Sequence, residues 1–140
     1  MVNSKKIAAC ELAFDHGLVW IGVALSRAGE ATADSLGNIN AKQDVRPQVK
    51  HLLDRFNPDV LVVGRPRNIE ANNTAQTNLA ESFASGLRQF GRPVVMQDEF
   101  MSSQAADEQI DKRLPLHKQK QQRNALAAQA ILEYYLHETS

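Results

Sequence analysis

Three acidic side chains stand where a sheet could bring them together. Asp15 ends the apolar stretch 7–15, just ahead of Gly17, and Asp98 with Glu99 ends Val94–Glu99. In open α/β sheets, sites form beyond the carboxyl ends of the strands. Strands from opposite ends of a chain can lie side by side, because helical crossovers bring them back; in that arrangement Asp15 faces one of the acidic pair. Two carboxylates a few ångströms apart repel unless a cation sits between them. Mg²⁺ and Mn²⁺ are the hard cations that suit such oxygens. Carboxylates at strand ends also serve as solvated groups or helix caps, and the spacing alone leaves both readings open.

A second feature is basic. Lys112, Arg113, Lys118, Lys120 and Arg123 are five cations in a stretch with no carboxylate from 112 to 132. With Arg65 and Arg67 they are expected to form a rim that contacts phosphates without reading base sequence. The alternative is a solvated connection. His117 lies in the same stretch, where histidines are usually solvated; a ring nitrogen turned inward is the other option. Trp20 suits stacking on a base or covering core on a hairpin. Glu11 lies four residues before Asp15 and so shares its strand face. A buried, unpaired carboxylate is costly, which predicts an edge position or a Lys or Arg partner for Glu11 rather than a ligand role.

The elements that must hold these groups follow from periodicity. Residues 7–15 and Val19–Leu25 read as two strands of an antiparallel hairpin, and 31–39 as a weaker third. From Val45 the period becomes helical, with Val49, Leu52, Leu53 and Phe56 on one side and Asn57-Pro58 as the stop. Val60–Gly64 is an unbroken apolar run, as in a buried parallel strand. Asn73 or Thr74 caps the next helix, whose expected inward stripe is Leu79, Phe83, Leu87 and Phe90. Gly91 and Pro93 precede the last strand, Val94–Glu99. Ser102 or Ser103 caps a helix running to about Lys112. A polar, basic connection then leads to a closing helix from about Asn124 to Leu136, apolar on most sides. The order predicts an α/β fold: a mixed sheet of about five strands with helices on both faces.

Composition narrows the classes. The 140 residues carry 16 Lys and Arg against 16 Asp and Glu, 43% hydrophobic residues and one cysteine. That length suits a single domain spanning 1–140, and the apolar fraction argues against disorder. One cysteine excludes an internal disulfide and a thiolate zinc cluster. The longest apolar run, Gly17–Leu25, is too short for a bilayer, which needs about 20 residues. With no export signal legible near Met1, the expected compartment is the cytoplasm. Zero net charge means that any nucleic-acid reading rests on local charge.

Four ordered blocks then carry a resemblance: Phe14-Asp15-His16-Gly17 with Ile21-Gly22-Val23-Ala24; Val63-Gly64-Arg65-Pro66-Arg67-Asn68; Asp98-Glu99-Phe100-Met101-Ser102-Ser103; and Asn124 through Leu136. Together they resemble the YqgF/RuvX family, described as Holliday junction resolvases and as the nuclease that matures pre-16S rRNA ends. The resemblance implies an RNase H-like fold and metal-dependent phosphodiester hydrolysis. The partner would be structured RNA such as pre-16S rRNA, or branched DNA. Asp15, Glu99 and Asn124 would be catalytic, with Asp15 and Glu99 holding Mg²⁺ or Mn²⁺. The chain departs from the family pattern at the site. Leu18 and Val19 replace Thr and Lys, Trp20 a usually basic residue, Phe100 an Arg, and Asn124 the third acid. The substitution by Asn124 removes one negative charge, which weakens binding of a second ion. These departures raise the alternative of a catalytically inactive nucleic-acid-binding protein on the same fold. A nucleotide-binding lobe of the actin type, which needs two such lobes, does not fit this length.

Overall fold

The computed structural model describes residues 9–66, 75–99 and 108–139. Five strands form one mixed sheet in the order β3-β2-β1-β4-β5. They are β1 (Glu11–His16), β2 (Trp20–Ser26), β3 (Asp34–Asn40), β4 (Val60–Pro66) and β5 (Val94–Glu99). The hairpin β1–β2 and the pair β2–β3 are antiparallel. β1, β4 and β5 run parallel, so Asp15 and Glu99 approach the same edge of the sheet. The two strands do not lie side by side, the arrangement that would make these acids face each other, because β4 lies between β1 and β5. At about 4.8 Å per strand, β1 and β5 are about 10 Å apart, and the register puts Glu99 two residues beyond the level of Asp15.

Helices cover both faces. On one, α1 (Val45–Phe56) and α2 (Ala75–Leu87) close over Leu12, Phe14, Leu61 and Val63. Asp44 caps α1 by accepting from the Arg46 amide, and Asn57 ends it in the left-handed conformation. Asparagine tolerates that conformation better than most residues. On the other face, α3 (Leu116–Thr139) packs its Ala128, Ile131 and Leu132 on Ala13, Ala24 and Val62. Leu61, Val62 and Val63 are fully buried, as a strand covered on both faces requires. A chain of small residues on the α3 face lets that helix sit close to the sheet.

Four expectations are corrected. α3 begins at Leu116, not near Asn124, so Lys118, Lys120 and Arg123 belong to a helix rather than a connection. Leu116–Arg123 is built of good helix formers but has no apolar period to betray it. In α2, Leu79 is 37% exposed while Ala80, Ala84 and Leu87 are buried and Phe83 is partly so. The helix turns its small residues to the sheet, and the larger stripe overshoots by part of a turn. Glu11 sits on the central strand, only 8% exposed, with no Lys or Arg on it and no hydrogen-bond partner for Oε1 among the described residues. Asn73, Thr74, Ser102 and Ser103, the proposed caps, lie outside the described residues. The helix assigned to about Lys112 ends at Gln109.

Candidate metal and nucleic-acid site

Alternation along β1 sets the site. Phe14 points into the α1/α2 core and Ala13 into the α3 core, so Asp15 takes the α3 face. Its partner across the hairpin is Gly22. The backbone of α3 at Asn124 and Ala125 lies so close to Gly22 that a Cβ there would overlap it. Glycine is therefore what brings the start of α3's buried half against the row that carries Asp15.

Asn124 meets the hairpin from this side. Its Nδ2 donates to the Trp20 carbonyl at 3.0 Å. A Cβ on Gly17 would stand 2.9 Å from the same nitrogen. The turn that follows Asp15 is thus closed by the Asn124 amide. One turn earlier, the Gln121 carbonyl accepts from Asn38 of β3 at 2.8 Å, which anchors the same stretch of helix across the sheet.

On β5, Val94 and Met96 pack toward the α1/α2 core, while Gln97 donates to Glu138 of α3 at 3.2 Å. Position 99 therefore has the register of the α3 face, and Asp98 that of the opposite face. Between the two acids, Glu99 is the one whose backbone shares a face with Asp15. Its side chain lies outside the described set. Among the described residues no three His, Cys, Asp or Glu side chains form a metal-sized group. The hard oxygens at this end of the sheet are one carboxylate from β1 and the carboxylate residue that ends β5, while the Asn124 amide is turned to the Trp20 carbonyl. That chemistry suits a single Mg²⁺ or Mn²⁺ and falls short of the charge that a pair of ions demands.

The cations divide. Lys118, Lys120 and Arg123 are exposed on the first turns of α3, upstream of Asn124. Lys112 is exposed beside them, and Arg113 is held by Asp111 at 3.0 and 3.2 Å, which lowers the Asp111 carboxyl. Arg65 lies apart. It is on the α2 side of β4, 3.6 Å from Glu81. Arg67 lies outside the described residues. His117 is exposed at the start of α3. His16, behind Asp15 on the α2 side, packs against Phe83 with ring centres 5.1 Å apart, and burial lowers its pKa.

Reasoning from the sequence missed the roles of Gly17 and Gly22 in admitting Asn124. Their close contacts join residues about a hundred positions apart, and only the motif spacing hinted at them. It also missed the exposed apolar turn: Leu18 is 68% exposed and Val19 43%.

Comparison with known proteins places this geometry in a family. The chain is 34% identical over 141 residues to a protein of Coxiella burnetii (strain Dugway 5J108-111) named "Putative pre-16S rRNA nuclease", covering 99% of this chain and 97% of the relative. A Nitrosococcus oceani protein of the same name is 32% identical over 91% of this chain and 86% of its own length. Among solved structures, fowlpox virus resolvase with Holliday junction DNA superposes with a TM-score of 0.60 at 12% identity, covering 93% of this chain and 98% of that one. The Thermus thermophilus RuvC complex with a Holliday junction substrate gives 0.57 at 17% identity, over 94% and 95%. These structures share the fold, a mixed α/β sheet of the RNase H-like kind. The family pattern described as RuvX: Holliday junction resolvase matches residues 9–138, and with it the fold, the motif order and the sequence identity agree: this chain belongs to the YqgF/RuvX family.

Proposed function

We propose that this protein is a metal-dependent nuclease of the YqgF type that trims the ends of pre-16S rRNA. The observation that carries the reading is the convergence of Asp15, Asn124 and the end of β5 on one edge and one face of the sheet. Asp15 and Glu99 would hold the ion, Mg²⁺ or Mn²⁺, which supplies charge stabilisation at the phosphate and activates water. Asn124 stands at the same rim. Lys112, Arg113, Lys118, Lys120 and Arg123 would draw the phosphate backbone toward it, and Arg67 would contact the substrate from the β4 end, whereas Arg65 is turned to Glu81 on the other face. Support comes from the names of the relatives and from the fold shared with junction-bound resolvases.

The test is cleavage of a structured RNA carrying a 16S end, with a four-way DNA junction in parallel, in Mg²⁺ and in Mn²⁺. RNA cleavage that Asp15→Asn and Glu99→Gln each abolish supports the proposal. Cleavage of the junction alone moves the substrate to branched DNA. Binding without cleavage in either ion favours the second reading, a binding protein on a nuclease frame. The specific observation behind that reading is the neutral Asn124, whose amide nitrogen is already committed to Trp20.

A further inference from the structure

We propose that Asn124 is a positioning residue, whose side-chain amide must donate a hydrogen bond to hold the turn after Asp15, and that it does not act as a metal ligand. The proposal deepens the reading above, since what it positions is the carboxylate assigned to the ion.

Two contacts of one residue define the role. The side chain reaches the turn, with Nδ2 3.0 Å from the Trp20 carbonyl and next to the space that a Gly17 Cβ would fill. The main chain lies on Gly22, the cross-strand partner of Asp15. Asn124 thus clamps both sides of the hairpin end: Gly17 just past Asp15, and Gly22 directly opposite it. Trp20 is the first residue of β2, and the β1–β2 register ends at the His16–Ile21 pair. Trp20 still pairs with Asn40 of β3, but the Val19 carbonyl takes the bond on the β3 side, from Ala41, so by alternation the Trp20 carbonyl faces the β1 side, one residue past the last pair of that ladder. A backbone acceptor there needs a donor from elsewhere. The Asn124 amide supplies it.

The chemistry is selective. An amide offers both a donor and an acceptor, whereas an ionised carboxylate only accepts. An aspartate in this position would set two acceptor oxygens about 3 Å apart, which is repulsive. The acid that the family pattern has here and the hydrogen bond this chain makes are therefore alternatives. The two glycines and the amide form one fitted set.

The test compares the full-length wild type with Asn124→Asp, which replaces the donor by a charged acceptor of the same shape, and with Asn124→Ala. Thermal unfolding is followed without metal at neutral pH, and Mn²⁺ affinity is measured by water-proton relaxation. Asn124→Asp is expected to melt several degrees below wild type, at least as low as Asn124→Ala, and to bind Mn²⁺ no more tightly despite its extra charge. The proposal is overturned if Asn124→Asp melts with the wild type. It is equally overturned if Mn²⁺ binds about tenfold tighter, as an added ligand charge would cause. Should Asn124→Asp fail to fold, the wild-type side-chain NH₂ resonances decide: slowed exchange with solvent supports the tether and free exchange overturns it. A wild type that binds no Mn²⁺ sinks the metal reading alone, because the melting and exchange measurements still judge the hydrogen bond.

Discussion

Glu11 and Asp15 are two carboxylates on the same strand and the same face, four residues apart, and the fold treats them in opposite ways. Glu11 is covered by α3 near the amino end of β1, its Oε1 without a partner among the described residues. Burial, then the neighbouring Asp59 charge, push its carboxyl above the ordinary value of 4.5. Asp15 lies half-buried where the strand runs out, opposite a glycine and beside the turn held by Asn124. One position adds an electrostatic cost to the core, and the other stands half-buried near the end of its strand. The residue type is nearly the same. The place along a parallel strand decides what it does.

The largest test of that contrast is functional. Asp15→Asn is expected to lower metal-dependent cleavage at least about 100-fold, since a bound ion supplies several kcal/mol to the transition state. Glu11→Gln should leave cleavage near wild type, and equal losses from both substitutions would erase the distinction. Next is Gly22→Ala, which forces a methyl group into the α3 backbone. Denaturant melts should register a cost of about 3 kcal/mol, against a much smaller change for Gly86→Ala, where nothing lies within 4 Å.

Glu11→Gln should then stabilise the fold at neutral pH by about 1–2 kcal/mol, as expected for relieving a buried unsatisfied charge. The pH dependence has a definite sign. A raised folded-state pKa means that the native protein binds the proton more tightly than the unfolded chain. That contribution to stability is complete below 4.5 and is lost as pH rises through the folded value. The advantage of Glu11→Gln should accordingly grow from acid to neutral pH in parallel melts; an advantage that shrinks on that path would contradict the burial assigned to Glu11. The smallest effect belongs to the rim. Lys120→Ala should weaken RNA binding evenly across sequences and reduce the slope of log K against log salt by about 0.7–0.9, the value for one lost phosphate contact. An unchanged slope would remove Lys120 from the interface.

Much of the frame was legible because it is repeated in local pattern. The apolar run at Val60, the α1 stripe ending at Asn57, and the span Val94–Glu99 each follow from period and punctuation within a dozen residues. Asp15 and Glu99 were legible as strand ends. What escaped was set by partners distant in sequence. Leu116–Arg123 has no apolar face, so its helix is visible only once Gln121 and Asn124 are seen bonded to β3 and β2. Leu79 fits the same periodic stripe as Leu87, and only the close approach of Ala80 and Ala84 to the sheet decides which leucine goes inside. Glu11 reads as an edge residue until β4 is found beside β1.

By itself, the sequence determined the alternation of strands and helices, the acids at or next to the ends of β1 and β5, and the cations ahead of Asn124, because side-chain period and turn chemistry act over short distances. Only the tertiary structure decided that β4 separates the two acidic strands, that Arg65 faces away from the other cations, and that Asn124 closes the turn after Asp15. Those outcomes depend on strand order and on how near a helix can approach a glycine, quantities shared between residues about a hundred positions apart, which no local pattern encodes.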